Sequence, residues 1–289
     1  MQRKLHPLEG IVAMCALVLV LFLSVGFAQA QDVRKIALRS SSALVQDAET
    51  GEIVIGKNAD AVVPIASITK LMTAIVILDS GLDLEEKITL NREDAVAMKG
   101  SRSRLHTGLA LSRGDLLLLA LMASDNRAAA ALGRSYPGGM ELFVDAMNAR
   151  AAALDMHESR FVEPTGLSPA NVSTANDLAR LVRAAHEYPL IREYSTRDRA
   201  AIRVTLGKRV RVLNYGNTNG LVRSRHWDIE LSKTGYISEA GRCLVMHVRL
   251  AEKDLIVVLL DSWGKHSRVG DANRIRKWLE SGAAPDRSS

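Results

Sequence analysis

Strand-like apolar runs occupy both ends of this 289-residue chain, and a long helix-patterned stretch separates them. From Ser42 the order is strand, turn, strand: Ala43–Gln46, then Asp47-Ala48-Glu49-Thr50-Gly51, then Glu52–Gly56. A glycine that closes a polar turn between two apolar runs marks a hairpin. Toward the other end, Leu231–Ile237, Arg242–Leu250 and Leu255–Asp261 are apolar, partly alternating runs. Ser238-Glu239-Ala240-Gly241 and Glu252-Lys253-Asp254 separate them. Strands first, helices in the middle and strands last imply a mixed α/β (α+β) class. One sheet is built from both ends of the chain, with an all-helical lobe inserted between them. The expected sheet lobe covers about 40–81 and 188–283, and the helical lobe about 82–187.

The helices follow from apolar spacing and stop signals. Pro64 precedes a helix expected over Ser67–Asp79, whose Leu71, Ala74, Ile75 and Leu78 recur at spacings of three and four before Gly81 ends it. Ser112-Arg113-Gly114-Asp115 opens the apolar stretch Leu116–Met122. Arg127–Arg134 is a further helix, stopped by Pro137-Gly138-Gly139, and Met140–Leu154 is the next. Thr174-Ala175-Asn176-Asp177 resembles a capping box and starts a helix that ends at His186. A last amphipathic helix carries Val269, Ala272, Ile275, Trp278 and Leu279, and residues 284–289 read as a disordered tail.

Residues 1–30 read as a secretion signal rather than part of the fold. Arg3 and Lys4 give a positive start, Ile11–Phe27 is apolar and uncharged, and Ala28-Gln29-Ala30 is a small-x-small cleavage site. The alternative is an uncleaved anchor, because a 17-residue run sits near the lower limit for spanning a bilayer. Export implies a periplasmic location. Removing Arg3, Lys4 and Glu9 lowers the formal net charge from +6 to about +5. That balance suits either an anionic polymer or plain solubility. No arginine-aromatic pattern points to nucleic acid. Cleavage after Ala30 leaves Cys243 as the sole cysteine, so no internal disulfide forms, and the thiol is expected as a small buried side chain on a strand.

Three short motifs carry chemistry: Ser67-Ile68-Thr69-Lys70, Ser124-Asp125-Asn126 and Lys233-Thr234-Gly235. Each alone is common as a capping segment or an edge strand. Their contexts agree with one reaction: a helix start, an inter-helix loop and a strand. Ser67 sits at a helix start, where outward N–H groups and the dipole favour an alkoxide or oxyanion. Lys70, one turn along on the same face, can take the serine proton if its amine is neutral. Burial and neighbouring positive charge would lower its pKa, and Lys233 is the expected source of that charge. Ser124 can relay a proton to a leaving amine, and Asn126 offers both donors and an acceptor to a substrate amide or to Lys70. Lys233 and Thr234 can hold a substrate carboxylate. Gly235 permits close approach of a ligand backbone, and the N–H of Tyr236 with that of Ser67 can form an oxyanion hole. The seven histidines are scattered, with no His-Glu-x-x-His and no Cys/His cluster, so no metal site is expected. No Gly-x-Ser-x-Gly elbow surrounds a serine.

With these motifs in place, the chain resembles the low-molecular-mass penicillin-binding proteins of the D-alanyl-D-alanine peptidase family, from about Ser41 to Leu279. The resemblance extends to Pro64-Ile65-Ala66 before Ser67, Ser124-Asp125-Asn126-Arg127-Ala128-Ala129, Pro137-Gly138-Gly139, Pro164-Thr165-Gly166-Leu167 and Asn171-Val172-Ser173-Thr174. It implies a β-lactamase/transpeptidase-like fold and no cofactor. It also implies Ser67 as nucleophile, Lys70 as base, Ser124 and Asn126 as relay and positioning groups, and Lys233 with Thr234 as carboxylate or amide binders. The implied substrate is peptidoglycan stem peptide, with β-lactams as covalent inhibitors. Asn217-Thr218-Asn219-Gly220-Leu221, and a chain that stops soon after its last helix, resemble the endopeptidase branch, which cuts cross-links. Carboxypeptidase activity on the same site is the alternative. A class A β-lactamase would need a deacylating glutamate on a loop after the second motif, followed shortly by an asparagine. Glu163 is near that distance, but Glu163-Pro164-Thr165-Gly166-Leu167-Ser168 carries the peptidase pattern instead. A non-catalytic wall-binding protein would not need Ser67, Lys70, Ser124 and Lys233 together.

Overall fold

The computed structural model describes residues 36–96, 103–206 and 209–281. The main folded unit starts at Leu38; of the preceding unit, Met1–Ala37, only Ile36 and Ala37 are described. The secretion signal expected at 1–30 and the tail at 284–289 lie outside the described residues. Among the described residues no helix is long and apolar enough to cross a membrane.

In chain order the elements are β1 (Ser40–Asp47), β2 (Ile53–Lys57), β3 (Val63–Pro64), α1 (Lys70–Asp79), β4 (Lys87–Thr89) and α2 (Glu93–Val96). There follow β5 (Ala110–Ser112), α3 (Arg113–Met122), α4 (Asn126–Arg134), α5 (Gly139–Ala153), β6 (Val172–Ser173), α6 (Ala175–His186) and α7 (Pro189–Thr196). The last are β7 (Arg199–Leu206), β8 (Arg209–Gly216), β9 (Asp228–Ile237), β10 (Gly241–Leu250), β11 (Lys253–Ser262) and α8 (Ser267–Glu280).

The main sheet is antiparallel with the order β2-β1-β11-β10-β9, so its N-terminal hairpin pairs directly with its C-terminal meander, as the sequence pattern predicts. Leu44 faces Val258, which faces Val245, which faces Lys233. Every residue of β11 from Leu255 to Leu260 is buried. Successive side chains point to opposite faces, so both faces of the sheet are covered. Helices α6 and α8 each pack on β1, β10 and β11 and provide that cover. Asp271 of α8 fastens the start of β1: its carboxylate accepts from the Ser40 N–H at 2.7 Å, the Arg39 N–H at 2.9 Å and the Ser40 hydroxyl at 2.6 Å.

Helix α1 departs from the expected one-sided pattern. Lys70 through Ile77 are all buried, because α3, α4, α5 and α6 surround the helix. A helix that is apolar around its circumference belongs in a core. The expected cap at Thr174 is present, accepting from the Asp177 N–H, and two more are found: Ser112 accepts from the Asp115 N–H and Asp125 from the Ala128 N–H. The inserted lobe is not wholly helical. Strands β4 and β5 form a two-stranded ladder that buries Ile88 and Leu111. Three residues per strand are too few to show a period of two in sequence. On the sheet side, α7 adds a helix, and β7 with β8 forms a separate hairpin that does not join the main sheet.

Candidate active site

The three motifs converge on one cleft, lined among others by Ser67, Ser124, Asn126, Thr218, Thr234 and Arg268. The helix expected from Ser67 begins as a 3-10 turn, Ala66–Thr69, before continuing as α1. In 3-10 geometry residues i and i+3 eclipse. That places the Lys70 amine directly on the serine: Nζ lies 2.9 Å from Ser67 Oγ. Ala66, just before the serine, is held at φ +47°, a strained conformation for a residue with a side chain.

Lys70 has two further partners, Asn126 Oδ1 at 2.6 Å and the Thr165 carbonyl. A neutral amine has two N–H donors and one lone pair. With the donors on Asn126 and Thr165, the lone pair faces Ser67 Oγ. Burial pushes the Lys70 pKa down to about 8, against the opposing carboxylates of Glu163 and Asp125. Desolvation is the leading cause, as the sequence-based reading placed it first. Lys233 is itself held well below the usual lysine range by burial, with the Lys70 and Arg268 charges adding, and the repulsion between the two lysines disfavours charge on both.

Ser124 sits between α3 and α4 with φ +56°, and its hydroxyl accepts from Lys233 Nζ at 2.8 Å. The same amine donates to the Thr234 carbonyl at 2.9 Å, and Lys233 is 1% exposed. Lys233 therefore stands behind Ser124. The Thr234 hydroxyl lines the cleft and donates to Thr218 Oγ1 at 2.7 Å. Tyr236 is exposed at the rim, with the Arg242 guanidinium 4.6 Å over its ring.

Two glycines let the backbone close around the serine. A Cβ on Gly235 would lie 3.0 Å from the Ile65 carbonyl and 3.2 Å from the Ser67 nitrogen. At Gly166, with φ +79°, it would lie 1.9 Å from the Ala66 carbonyl oxygen. No residue with a side chain fits there. Glu163 organises this loop. Its carboxylate accepts from the Thr165 N–H at 2.6 Å, the Gly166 N–H at 2.7 Å and Asn171 Nδ2 at 2.8 Å. A carboxylate occupied in this way is a turn-former rather than a base for deacylation.

Three contributors escaped the reading of the sequence. Thr165 supplies only its carbonyl, which no residue type announces. Thr218 lies within the Asn217–Leu221 string, but its role depends on meeting Thr234. Arg268, on α8, donates to the Gly235 carbonyl at 2.9 Å and the Cys243 carbonyl at 3.1 Å, 33 residues or fewer away in sequence but across the sheet edge. Cys243 itself is buried on β10, as expected, and its thiol is pushed up to about 11 by burial.

Fold and site together define a serine-type peptidase. The sequence profile of the D-alanyl-D-alanine carboxypeptidase family (peptidase S11) matches residues 28–264. The D-alanyl-D-alanine endopeptidase of Pseudomonas aeruginosa is 49% identical over 245 residues, 85% of this chain and 78% of that protein. The Escherichia coli protein of the same name is 46% identical over 246 residues, with the same coverage of both chains. Relatives named D-alanyl-D-alanine carboxypeptidase match at 28–30% identity. Among solved structures, the Streptomyces K15 DD-transpeptidase superposes with a TM-score of 0.79 at 27% identity, covering 86% of this chain and 99% of that one. The chain belongs to the serine D-Ala-D-Ala peptidase family.

Proposed function

We propose that this protein is an exported, periplasmic, penicillin-sensitive D-alanyl-D-alanine endopeptidase that cleaves peptidoglycan cross-links through an acyl-enzyme on Ser67. The observation that carries the reading is the Lys70 amine, buried, 2.9 Å from Ser67 Oγ and with its other hydrogen-bond partners already satisfied. In the acylation step Lys70 takes the Ser67 proton as Oγ attacks the carbonyl of the scissile D-Ala amide. The N–H groups of Ser67 and Tyr236 receive the oxyanion, with Gly235 allowing β9 to lie close to the serine. On collapse, the C–N bond breaks and the proton passes through Ser124 to the leaving amine. Lys233 orients the Ser124 hydroxyl and Asn126 orients Lys70. Thr234 and Thr218, with the Arg268 charge alongside, receive the substrate's carboxylate or amide at the cleft surface. Water then hydrolyses the ester, with Lys70 again accepting the proton. A β-lactam enters the same path and stops at the acyl-enzyme.

The endopeptidase reading rests on the higher identity of the relatives carrying that name, at 35–49%, than of the carboxypeptidases, at 28–30%. Incubation with purified cross-linked muropeptide dimers and with monomeric pentapeptides, resolved by mass, tests it. Monomers released from dimers, and blocked by penicillin, are the expected products. Loss of only the terminal D-alanine from pentapeptides would make the enzyme a carboxypeptidase on the same site.

A further inference from the structure

Away from the catalytic lysines, three side chains meet that no sequence spacing connects, one of them on the strand that carries Lys233. His186 closes α6, Glu230 lies on β9 and His247 on β10. His186 Nε2 is 2.6 Å from Glu230 Oε2, and His247 Nδ1 is 3.4 Å from the same oxygen. All three candidate ligand atoms lie within 4.8 Å of one another. The imidazoles stack, with centroids 3.8 Å apart and planes 11° from parallel.

A local irregularity builds the cluster. Opposite β10, His247 pairs with Leu231 and Val248 with Ile229, so Glu230 is the extra residue of a β-bulge. A bulge re-aims a side chain, and here it brings the carboxylate to the histidines. His247 is 5% exposed, and its Nδ1 has no hydrogen-bond partner. The 3.4 Å approach to Glu230 is a charge-pair contact and not a hydrogen bond. A buried, unpartnered ring nitrogen aimed at a carboxylate and a second imidazole calls for a ligand.

We propose that His186, Glu230 and His247 bind one zinc-class divalent ion that ties the end of α6 to β9 and β10. Two imidazoles and one carboxylate suit Zn²⁺ and not the oxygen-seeking Ca²⁺ or Mg²⁺. Bond lengths of roughly 2.0–2.2 Å put tetrahedral ligand atoms about 3.3 Å apart. The present separations bracket that value, so binding turns the two rings out of their stack without moving the backbone. The proton on the coordinating nitrogen of His186 leaves, to Nδ1 of the same ring or to solvent. The fourth position faces a surface hollow lined by His186, Pro189, Arg192, Glu193, Thr196 and Glu230, which gives the ion an entry path. Glu230 precedes Lys233 by three residues on β9, so the ion would brace the strand that carries the cleft without entering it.

The test uses the untagged full chain and Zn²⁺ alone, with titration calorimetry, metal analysis after desalting, and thermal melts with Mg²⁺ as control. One Zn²⁺ per chain, with a melting temperature that rises with Zn²⁺ and not with Mg²⁺, is expected. His186→Ala and Glu230→Gln lie at the half-exposed rim. Each should weaken Zn²⁺ binding at least about tenfold and erase the Zn²⁺-dependent rise, while penicillin labelling and the metal-free melt stay near those of the parent. Absence of saturable binding by the parent, an equal response to Mg²⁺, or undiminished binding by both folded variants would overturn the proposal.

Discussion

Strand β9 contributes to two clusters of ionisable groups, one around Lys233 and one around Glu230, and they are organised in opposite ways. At the first, the amines are paired in full: Lys70 with Ser67, Asn126 and Thr165, Lys233 with Ser124 and Thr234. At the second, His247 Nδ1 is buried without a hydrogen bond, and one carboxylate oxygen serves two rings. A fully paired network in a dry site stays poised at one geometry. A cluster with an orphaned ligand atom is open to a further partner. Disturbing the first should therefore cost chemistry more than stability, and disturbing the second should cost only the stability that a bound ion adds.

The largest expected effect lies at the nucleophile. Ser67→Ala should reduce penicillin acylation and peptide cleavage by about 10³-fold or more, with the melting temperature nearly unchanged. Labelling at the normal rate would remove Ser67 from the reaction. Lys70→Ala should cost nearly as much, because nucleophile and base act as a unit; a loss below about tenfold would mean another group takes the proton.

Gly166→Ala tests whether the cleft depends on its backbone as well as its side chains. The added methyl would sit 1.9 Å from the Ala66 carbonyl oxygen at φ +79°. Strain of about 1–3 kcal/mol should lower the melting temperature by several degrees, and displacement of Ser67 should slow acylation by about 10²-fold. An unchanged melt with unchanged kinetics would show the turn is free to relax.

A pH profile probes the lysine more gently. Below a pKa of about 8 the Lys70 amine is protonated and cannot accept the serine proton. The acylation rate, followed with a chromogenic β-lactam, should therefore rise as pH passes upward through about 8. A flat profile through that region would break the assignment of the base. The smallest effect is expected at Cys243. Its thiol is buried and shifted up to about 11, so alkylating reagents at neutral pH should react only after unfolding. Rapid modification of the native protein with loss of activity would place the thiol near the cleft.

Much of this architecture was legible because local signals were strong. Thr174 reads as a cap and is one, since a side-chain oxygen and an N–H a few residues on meet without help from the rest of the fold. The strands of the main sheet appeared as apolar runs bounded by polar turns. The β4–β5 ladder did not, because three-residue strands carry no periodicity. Of the site, Ser67, Lys70, Ser124, Asn126, Thr234 and Gly235 were visible as motifs. The Thr165 carbonyl and Arg268 were not: one acts through the main chain, the other reaches the cleft from a helix that docks last in sequence.

The sequence by itself determined the element order, the cap at Thr174, the closing of one sheet from two ends, and the three reactive strings, because these depend on spacings of a few residues. Tertiary structure decided what contacts over long separations must decide. It buried α1 on every side and so lowered the Lys70 pKa by desolvation, a cause that no neighbour in sequence supplies. It turned Lys233 behind Ser124. It also gathered His186, Glu230 and His247 from a helix end, a bulge and an inner strand, where only the folded register makes them neighbours.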